Sequence, residues 1–454
     1  MKFHLKIAIV AVIIFSFGIT LNGETLELNL EKARQIALEK NPSVKLAREA
    51  VAKSKASVTE TRGNLLPTVS GFSSFQHSWE LQKVVMPNFI KTMLGSAAPA
   101  GLPDYISVSF GMENSAVAGV NINQPLFMGG AIWNGYQISK LASSIIQSQY
   151  KVVEQKVLID VTSAYYGLLF ALSSVDVTEE GLQMSEKNLE QVNQFFTVGK
   201  ASRFDVLRAE VQVANFKPMV VSAKNYAKLA ESGLRMALGQ NEQIDFIIND
   251  HLRFTASDLT EKNLDELIEI AERNRPEVYM MSRQKDIATR QLSLAKSAYM
   301  PSVIFGTSYQ YQGQRNDYKF TNDDFLKSFN SSVTLSIPLF SGFKTSSKIQ
   351  QAKIGIKEAG YQEESLLNGI RMEIKSAYFT LKQAQENVQT QEVTIKQAEE
   401  ANRLAELMYT EGASTQLDVL NANVALNQAK MNYQKSLYEY NVALSSLKKA
   451  INEL

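Results

Sequence analysis

The chain has no cysteine and only three histidines in 454 residues. The first absence excludes disulfides, thiolate zinc sites, cysteine nucleophiles and lipidation of an N-terminal cysteine. The second leaves little for a His-based triad or a His-rich metal centre: His4 lies near the start, His77 beside a strand and His251 in a linker. Gly-rich phosphate loops, HExxH and EF-hand patterns are missing too. Basic and acidic side chains nearly cancel, 47 against 46, and no basic run reaches five, so nothing speaks for nucleic acid. Carboxylates are plentiful, but on long helices they read as solvated faces. No enzyme, no cofactor and no metal site is indicated.

The N-terminus carries an address. Lys2 and Lys6 flank the start of an unbroken apolar run over residues 7–15, and Ser16, Gly18 and Gly23 follow. Residues 1–23 are expected to be a secretory signal peptide, cleaved between Gly18 and Gly23; the run is too short to span a bilayer comfortably. Beyond it no apolar run is long enough to suggest a membrane-spanning helix.

The rest of the chain is written twice. Pro42 and Pro276, like Pro67 and Pro301, stand 234 positions apart, whereas Pro125 and Pro338 stand 213 apart. The second offset also superposes Leu126-Phe127-x-Gly129 on Leu339-Phe340-x-Gly342, and Ser163-Ala164-Tyr165 on Ser376-Ala377-Tyr378. The first copy is therefore 21 residues longer, and the extra length lies between Pro67 and Pro125. The expected plan is a first repeat over 24–240, a linker over 241–262 and a second repeat over 263–454.

Each copy runs through the same periods. A short helix capped at Asn29 or Asn263 stops before Pro42 or Pro276, and a second helix runs to Pro67 or Pro301. Then comes alternation of period two. Val303, Phe305, Tyr309 and Tyr311 oppose Ser302, Gly306, Ser308, Gln310 and Gln312, and Phe329, Val333, Leu335 and Ile337 oppose Asn330, Ser332, Thr334 and Ser336. In the first copy Val108, Phe110 and Met112 begin such a pattern and Ala116, Ala118, Val120 and Ile122 finish it. Strands are thus expected within about 67–125 and 301–338, with external loops at 321–324 and 80–104. Proline-free stretches of helix-forming residues follow from about Ala131 and Thr345, each able to reach on the order of 100 Å at 1.5 Å per residue. Return helices end near 238 and 450, and Pro218 is expected to kink the first.

Between each long helix and its return stands one phrase, GKASRFDVLRA at 199–209 and GASTQLDVLNA at 412–422. Gly199 and Gly412 suit the left-handed position after a helix. Ser202 and Thr415 suit the N-cap, and Asp205 and Asp418 fall three residues on, as in a capping box. The fixed letters therefore describe a tight helical hairpin.

Strands of about ten residues are long enough to cross a bilayer when tilted. Four strands cannot close a barrel, and each open edge would strand roughly five or more backbone groups at several kcal/mol apiece in hydrocarbon. Cyclic assembly removes the edges, and three copies would supply twelve strands. A soluble sheet serving as the oligomerisation cap of a secreted, non-conducting coiled-coil spacer is the alternative reading.

The duplication, leader, paired hairpins, Pro-Leu-Phe-x-Gly strand exits and Gly-x5-Asp-Val-Leu turns together resemble the outer membrane efflux protein family, the TolC-like channels. The resemblance implies an α+β membrane protein: a homotrimer whose 12-stranded β-barrel, four strands per chain, continues into a long periplasmic α-helical barrel. It implies residence in the outer membrane of a Gram-negative bacterium, among outer-membrane lipid, and a mixed belt near 24–42, 241–276 and the C-terminal end. It further implies a passive duct for efflux or type I secretion, engaged at its helical tips by a periplasmic adaptor and powered by an inner-membrane pump of RND, ABC or MFS type. Lacking an N-terminal cysteine, the chain resembles the unacylated branch. The tip residues free to meet an adaptor would be Gly199, Lys200, Ala201 and Arg203 with Gly412, Ala413, Ser414 and Gln416. Family members also keep an acidic constriction at the periplasmic mouth, for which Glu399, Glu406 and Glu411 are the main candidates, beside Glu400, Glu186 and Glu190.

Overall fold

The structure is a computed structural model describing residues 26–239 and 246–454; the expected signal peptide lies outside the described residues. Its paired helices repeat in length as well as in order. Strand β1 (Leu26–Glu27) precedes α1 (Leu30–Lys40) and α2 (Pro42–Gly63). Strand β2 (Thr68–His77), the insertion with β3 (Lys83–Pro87), α3 (Phe89–Leu94) and β4 (Tyr105–Ser109), and then β5 (Asn114–Met128) follow. The long helix α4 (Ala131–Thr197) and its return α5 (Arg203–Ala237) end the first copy. After β6 (Phe246–Ile247) the second copy runs α6 (Leu264–Asn274), α7 (Pro276–Ser297), β7 (Ser302–Arg315), β8 (Phe325–Ser336), α8 (Lys344–Thr410) and α9 (Gln416–Ala450). Both long helices have 67 residues and both returns have 35.

Local chemistry sets these boundaries. The Asn29 side chain accepts from the Lys32 amide at 2.9 Å, and Asn263 accepts from the Asp265 amide at 3.1 Å, satisfying donors that each helix start leaves open. Pro42 and Pro276 open the following helices, where a missing N–H costs nothing. Helix α5 runs continuously from Arg203 to Ala237 with Pro218 inside it.

Contacts divide the chain into two compact units, and neither is a repeat. One holds Leu46–Val152 and Ile268–Met372; the other holds the residues up to Lys45, Val153–Leu267 and Glu373–Leu454. Each unit draws on both copies because α4 and α8 both cross the boundary.

The first of these units contains the sheet, antiparallel in the order β2-β5-β7-β8. Register puts Val303 opposite Leu335, Phe305 opposite Val333, Tyr309 opposite Phe329, and Val120 opposite Tyr309. Side chains alternate along a strand, so this pairing gathers one apolar face. It carries Val69, Phe75, Ala118, Val120, Val303, Tyr309, Phe329, Val333 and Leu335, while Ser70, Ser74, Asn121, Ser308, Gln310, Asn330, Ser332 and Thr334 share the other. Within the protomer Val69, Phe75, Phe329 and Val333 are all more than half exposed. Among the described residues, strands β2 and β8 each pair on one side only.

The insertion departs from expectation. Val108 does not begin the strand that Ala116 to Ile122 continue; it lies in β4, opposite Val84, in a separate two-stranded sheet with β3. Residues 80–104 are therefore not a plain loop but hold β3 and α3, with Lys91 Nζ 2.5 Å from Asp104. The segment at 321–324 is a 3-10 turn closed by a Thr321–Asp324 capping box.

The other unit is helical with a small mixed layer. Its fully buried side chains include Val161, Tyr165, Leu234, Leu381, Tyr440 and Leu447. Leu26 and Glu27 pair in parallel with Phe246 and Ile247, joining the start of the first copy to the linker. The segment after β6 is pinned to α9: Tyr440 Oη donates to the Thr255 carbonyl at 2.7 Å and Asn441 Nδ2 to the Arg253 carbonyl at 3.1 Å. One stretch of α4 is long and apolar enough to cross a membrane by composition, contrary to expectation. Val157, Val161, Leu168 and Leu169 within that helix are buried in this unit.

Candidate functional site

The two helical hairpins end alike. After α4 the Gly199 amide donates to the Phe196 carbonyl at 3.0 Å and the Lys200 amide to the Phe195 carbonyl at 2.8 Å, with Gly199 at φ +74°. After α8 the Gly412 amide donates to Tyr409 at 3.1 Å and the Ala413 amide to Met408 at 2.7 Å, with Gly412 at φ +78°. Both are Schellman closures, which satisfy the last helix carbonyls and require a left-handed residue. Three residues later each return helix is capped reciprocally. The Asp205 amide donates to Ser202 Oγ at 3.2 Å and the Ser202 amide to the Asp205 carboxylate at 2.9 Å. Thr415 and Asp418 make the same exchange at 3.4 and 2.9 Å, and Ser414 Oγ donates to Asp418 at 2.9 Å.

These donors have an electrostatic consequence. Hydrogen bonds from the Ser202 hydroxyl and then its amide hold the Asp205 carboxyl below the usual range. The Thr415 hydroxyl, the Thr415 amide and Ser414 do the same for Asp418. Both aspartates are therefore spent on closing the turns.

Within the protomer the tips lie side by side. Phe195 and Tyr409 meet with ring centroids 5.4 Å apart, and Gln191 Nε2 donates to Thr410 Oγ1 at 3.1 Å. Val192, Val206 and Ala209 form a buried cluster against which Leu189, Ala201 and Tyr409 pack. Burial, then the nearby Asp205 charge, pushes the Tyr409 hydroxyl up.

Among the expected tip residues, Gly199, Lys200, Arg203, Gly412 and Ala413 are exposed, while Ala201 and Ser414 are half-buried. Gln416 differs: its side chain is 2% exposed, and neither amide atom finds a partner among the described residues. As the first residue of α9 it turns inward beside Val419 and Leu420, where it was expected to be free to meet an adaptor. Val198, Phe204 and Leu417, which drew no attention in the sequence, are exposed apolar tip residues, and Arg208 stacks over the Phe204 ring at 4.5 Å.

The candidate entrance carboxylates are not equivalent. Glu399 and Glu406 are two turns apart on one face of α8, and Asn402 Nδ2 donates to Glu406 at 3.0 Å. Glu400 is held by Arg403 at 2.8 Å, which lowers its pKa. Glu411 follows the last residue of α8 and does not share that face. Glu186 and Glu190 flank an open depression on α4 with Asn193, Gln194 and Thr197.

A four-stranded segment, apolar on one face and polar on the other, open at both edges and joined to paired 67-residue helices, defines one part of an outer-membrane channel-tunnel. A family profile described as outer membrane efflux protein matches residues 33–240 and 267–453. The chain belongs to that family. The outer membrane protein TolC of Vibrio cholerae is 27% identical over 338 residues, 74% of this chain and 76% of that protein. Alkaline protease secretion protein AprF of Pseudomonas aeruginosa is 20% identical over 339 residues, 74% of this chain and 69% of that one. The Campylobacter jejuni CmeC outer membrane channel shares the fold with a TM-score of 0.75 at 16% identity, over 93% of this chain and 85% of that chain. The protein is thus a protomer of a trimeric, 12-stranded outer-membrane barrel continuous with a periplasmic helical barrel. It serves as an exit duct of an efflux or secretion system and not as an enzyme.

Proposed function

We propose that the duct is passive and is entered through the hairpin tips, where a periplasmic adaptor docks and links it to an inner-membrane pump of RND, ABC or MFS type. One observation supports this most: two independently capped, Schellman-closed tips stand side by side at the ends of the long helices. Rigid turns offer a partner a preformed surface at little ordering cost. Lys200, Arg203 and Phe204 on the first tip and Ala413 and Leu417 on the second supply different chemistry. One hairpin is basic and aromatic, the other small and aliphatic, so the two present unlike faces to an adaptor. The sheet's polar face of Ser, Asn, Gln and Thr carries no pattern for choosing a cargo, so selection falls to the pump. AprF is named for secretion of a protease, which a wide permissive lumen would suit.

In this reading Glu406 lines the periplasmic mouth, with Glu399 two turns away. Three-fold symmetry makes each a ring of negative charge that favours cations. The test is single-channel recording of the purified trimer in planar bilayers. Glu406→Lys is expected to shift reversal potentials toward anions, and unchanged selectivity would eliminate Glu406. Photo-crosslinker placed at Ala413 or Lys200 in cells should capture a periplasmic protein, while placement at Glu186 should not. Equal capture from all three sites would remove the tips as the docking surface.

A further inference from the structure

The two hairpins of the sheet have the same register. Thr68↔Asn123 and His77↔Asn114 in the first become Ser302↔Ser336 and Tyr311↔Lys327 in the second under the offsets of 234 and 213 positions. The duplication therefore holds in three dimensions, strand by strand. One further pairing joins the copies, β5 of the first against β7 of the second, with Ile122↔Thr307, Val120↔Tyr309 and Ala118↔Tyr311. Strands β8 and β2 keep one open edge each, and in a ring of three copies every β8 must meet a β2. Six equivalent hairpins then alternate around the barrel, so the second copy should meet the first as the first meets the second.

We infer that β8 pairs with β2 of the partner subunit in that translated register: Val333 faces Phe75 of the partner subunit, Leu335 faces Ser73 of the partner subunit, and Ser331 faces His77 of the partner subunit. Parity agrees, since all six residues lie on the sheet's apolar face. A slip of one residue would instead set apolar side chains against the lumen.

The strand exits argue the same way. A Cβ on Gly129 would sit 2.5 Å from Met300 Cβ and 2.7 Å from the Ser297 carbonyl, so within a protomer the end of β5 presses on the end of α7. Translation puts Gly342 against Leu66 and Gly63 of the partner subunit. Gly342 has the same φ as Gly129, +59°, yet a Cβ added to it or to Gly63 would meet nothing within 4 Å in the protomer, and Leu66 is 58% exposed. The open surroundings of Gly342 are thus filled at the seam. Carried two residues past β2, the mapping also gives Trp79, 93% exposed, a counterpart in Phe329, 70% exposed, closing the outer end of the seam with an aromatic pair.

The absence of cysteine makes the test clean. Phe75→Cys, His77→Cys, Ser331→Cys and Val333→Cys are combined in four double variants. Two match the register (Val333 with Phe75, Ser331 with His77), and two are slipped by two residues (Val333 with His77, Ser331 with Phe75). Directly opposed Cα atoms lie about 4.5–5.5 Å apart, inside the disulfide window, whereas a two-residue slip moves them to roughly 8 Å, outside it. After oxidation of outer-membrane fractions, the matched pairs are expected to run as covalent dimers and trimers that reductant abolishes, and the slipped pairs as monomers on denaturing gels. Preferential linkage of a slipped pair would overturn the register. So would no linkage in any variant that remains trimeric on native gels. Should these double variants fail to assemble, Gly342→Cys with Leu66→Cys asks the same question beneath the strands, and its failure to link in an intact trimer would overturn the seam as well. The inference rests on three-fold closure and not on adaptor docking or the Glu406 ring, so neither outcome bears on those.

Discussion

Replacing Gly412 with Ala isolates backbone strain from steric overlap, because nothing lies within 4 Å of an added Cβ while φ is +78°. A left-handed conformation costs an L-residue roughly 1–2 kcal/mol, and losing glycine's extra freedom in the unfolded chain returns about 0.4–1 kcal/mol. The net is about 1 kcal/mol, or roughly a fivefold rise in local opening. The Ala413 amide, which donates to Met408 at 2.7 Å, reports it directly by hydrogen exchange. Gly412→Asn should lose less, since Asn enters the left-handed region more readily. Gly239 provides the contrast. Its φ is +72°, but an added Cβ would stand 2.5 Å from Asn41 Cα and 2.9 Å from Asn41 N, and backbone cannot move aside as a side chain can. Overlap adds about 1–3 kcal/mol to the strain, so Gly239→Ala should cost about 2–4 kcal/mol and raise local opening roughly 30-fold or more. If Gly412→Ala opened its tip as much as Gly239→Ala opens its own turn, or if Asn at 412 were worse than Ala, the assignment of strain and overlap would be wrong.

Ser202→Ala and Thr415→Ala each remove an N-cap acceptor and should cost about 1 kcal/mol, seen as faster exchange confined to the first turn of α5 or α9; a loss of global stability with unchanged tip protection would contradict this. The pH dependence follows from Asp205 and Asp418, whose folded pKa values lie below the unfolded value of about 3.9. Their contribution is complete above that unfolded value and is lost as pH falls through the folded one. Tip protection, corrected for intrinsic exchange, should thus be flat from pH 7 to about 5 and drop only below about 4, and Asp205→Asn should remove the drop at its own tip. Deleting residues 83–109 should leave a trimer on native gels, because among the described residues β3 and β4 pair only with each other and the Gln82 carbonyl already accepts from the Phe110 amide at 3.2 Å. Loss of the trimer would show that the insertion holds the barrel together.

What could be read from the chain alone tracks how local the responsible physics is. Helix starts at Asn29 and Asn263, the proline boundaries, the two glycine closures and both capping boxes depend on residues within a few positions of one another. So does alternation in β7 and β8, where most apolar and polar residues fall on opposite faces and Ile304, Leu326 and Lys327 are exceptions. Strand β2 is harder to read, because Thr-Val-Ser-Gly-Phe-Ser-Ser alternates weakly and becomes a strand through its ladder with β5. The β3–β4 sheet was missed for a related reason: Val84-x-Met86 and Ile106-x-Val108 are too short to show a period, and only their pairing makes them strands.

Sequence alone determined the duplication, the order of the elements outside the insertion, and the chemistry of the two helical turns, since these arise from contacts between near neighbours in the chain. Tertiary structure decided which strands adjoin, that their apolar faces coincide, that the two tips touch through Phe195 and Tyr409, and that Gln416 points inward. Those outcomes depend on groups brought together across more than 200 positions, where pairing and exclusion of water, rather than local propensity, choose among registers and rotamers.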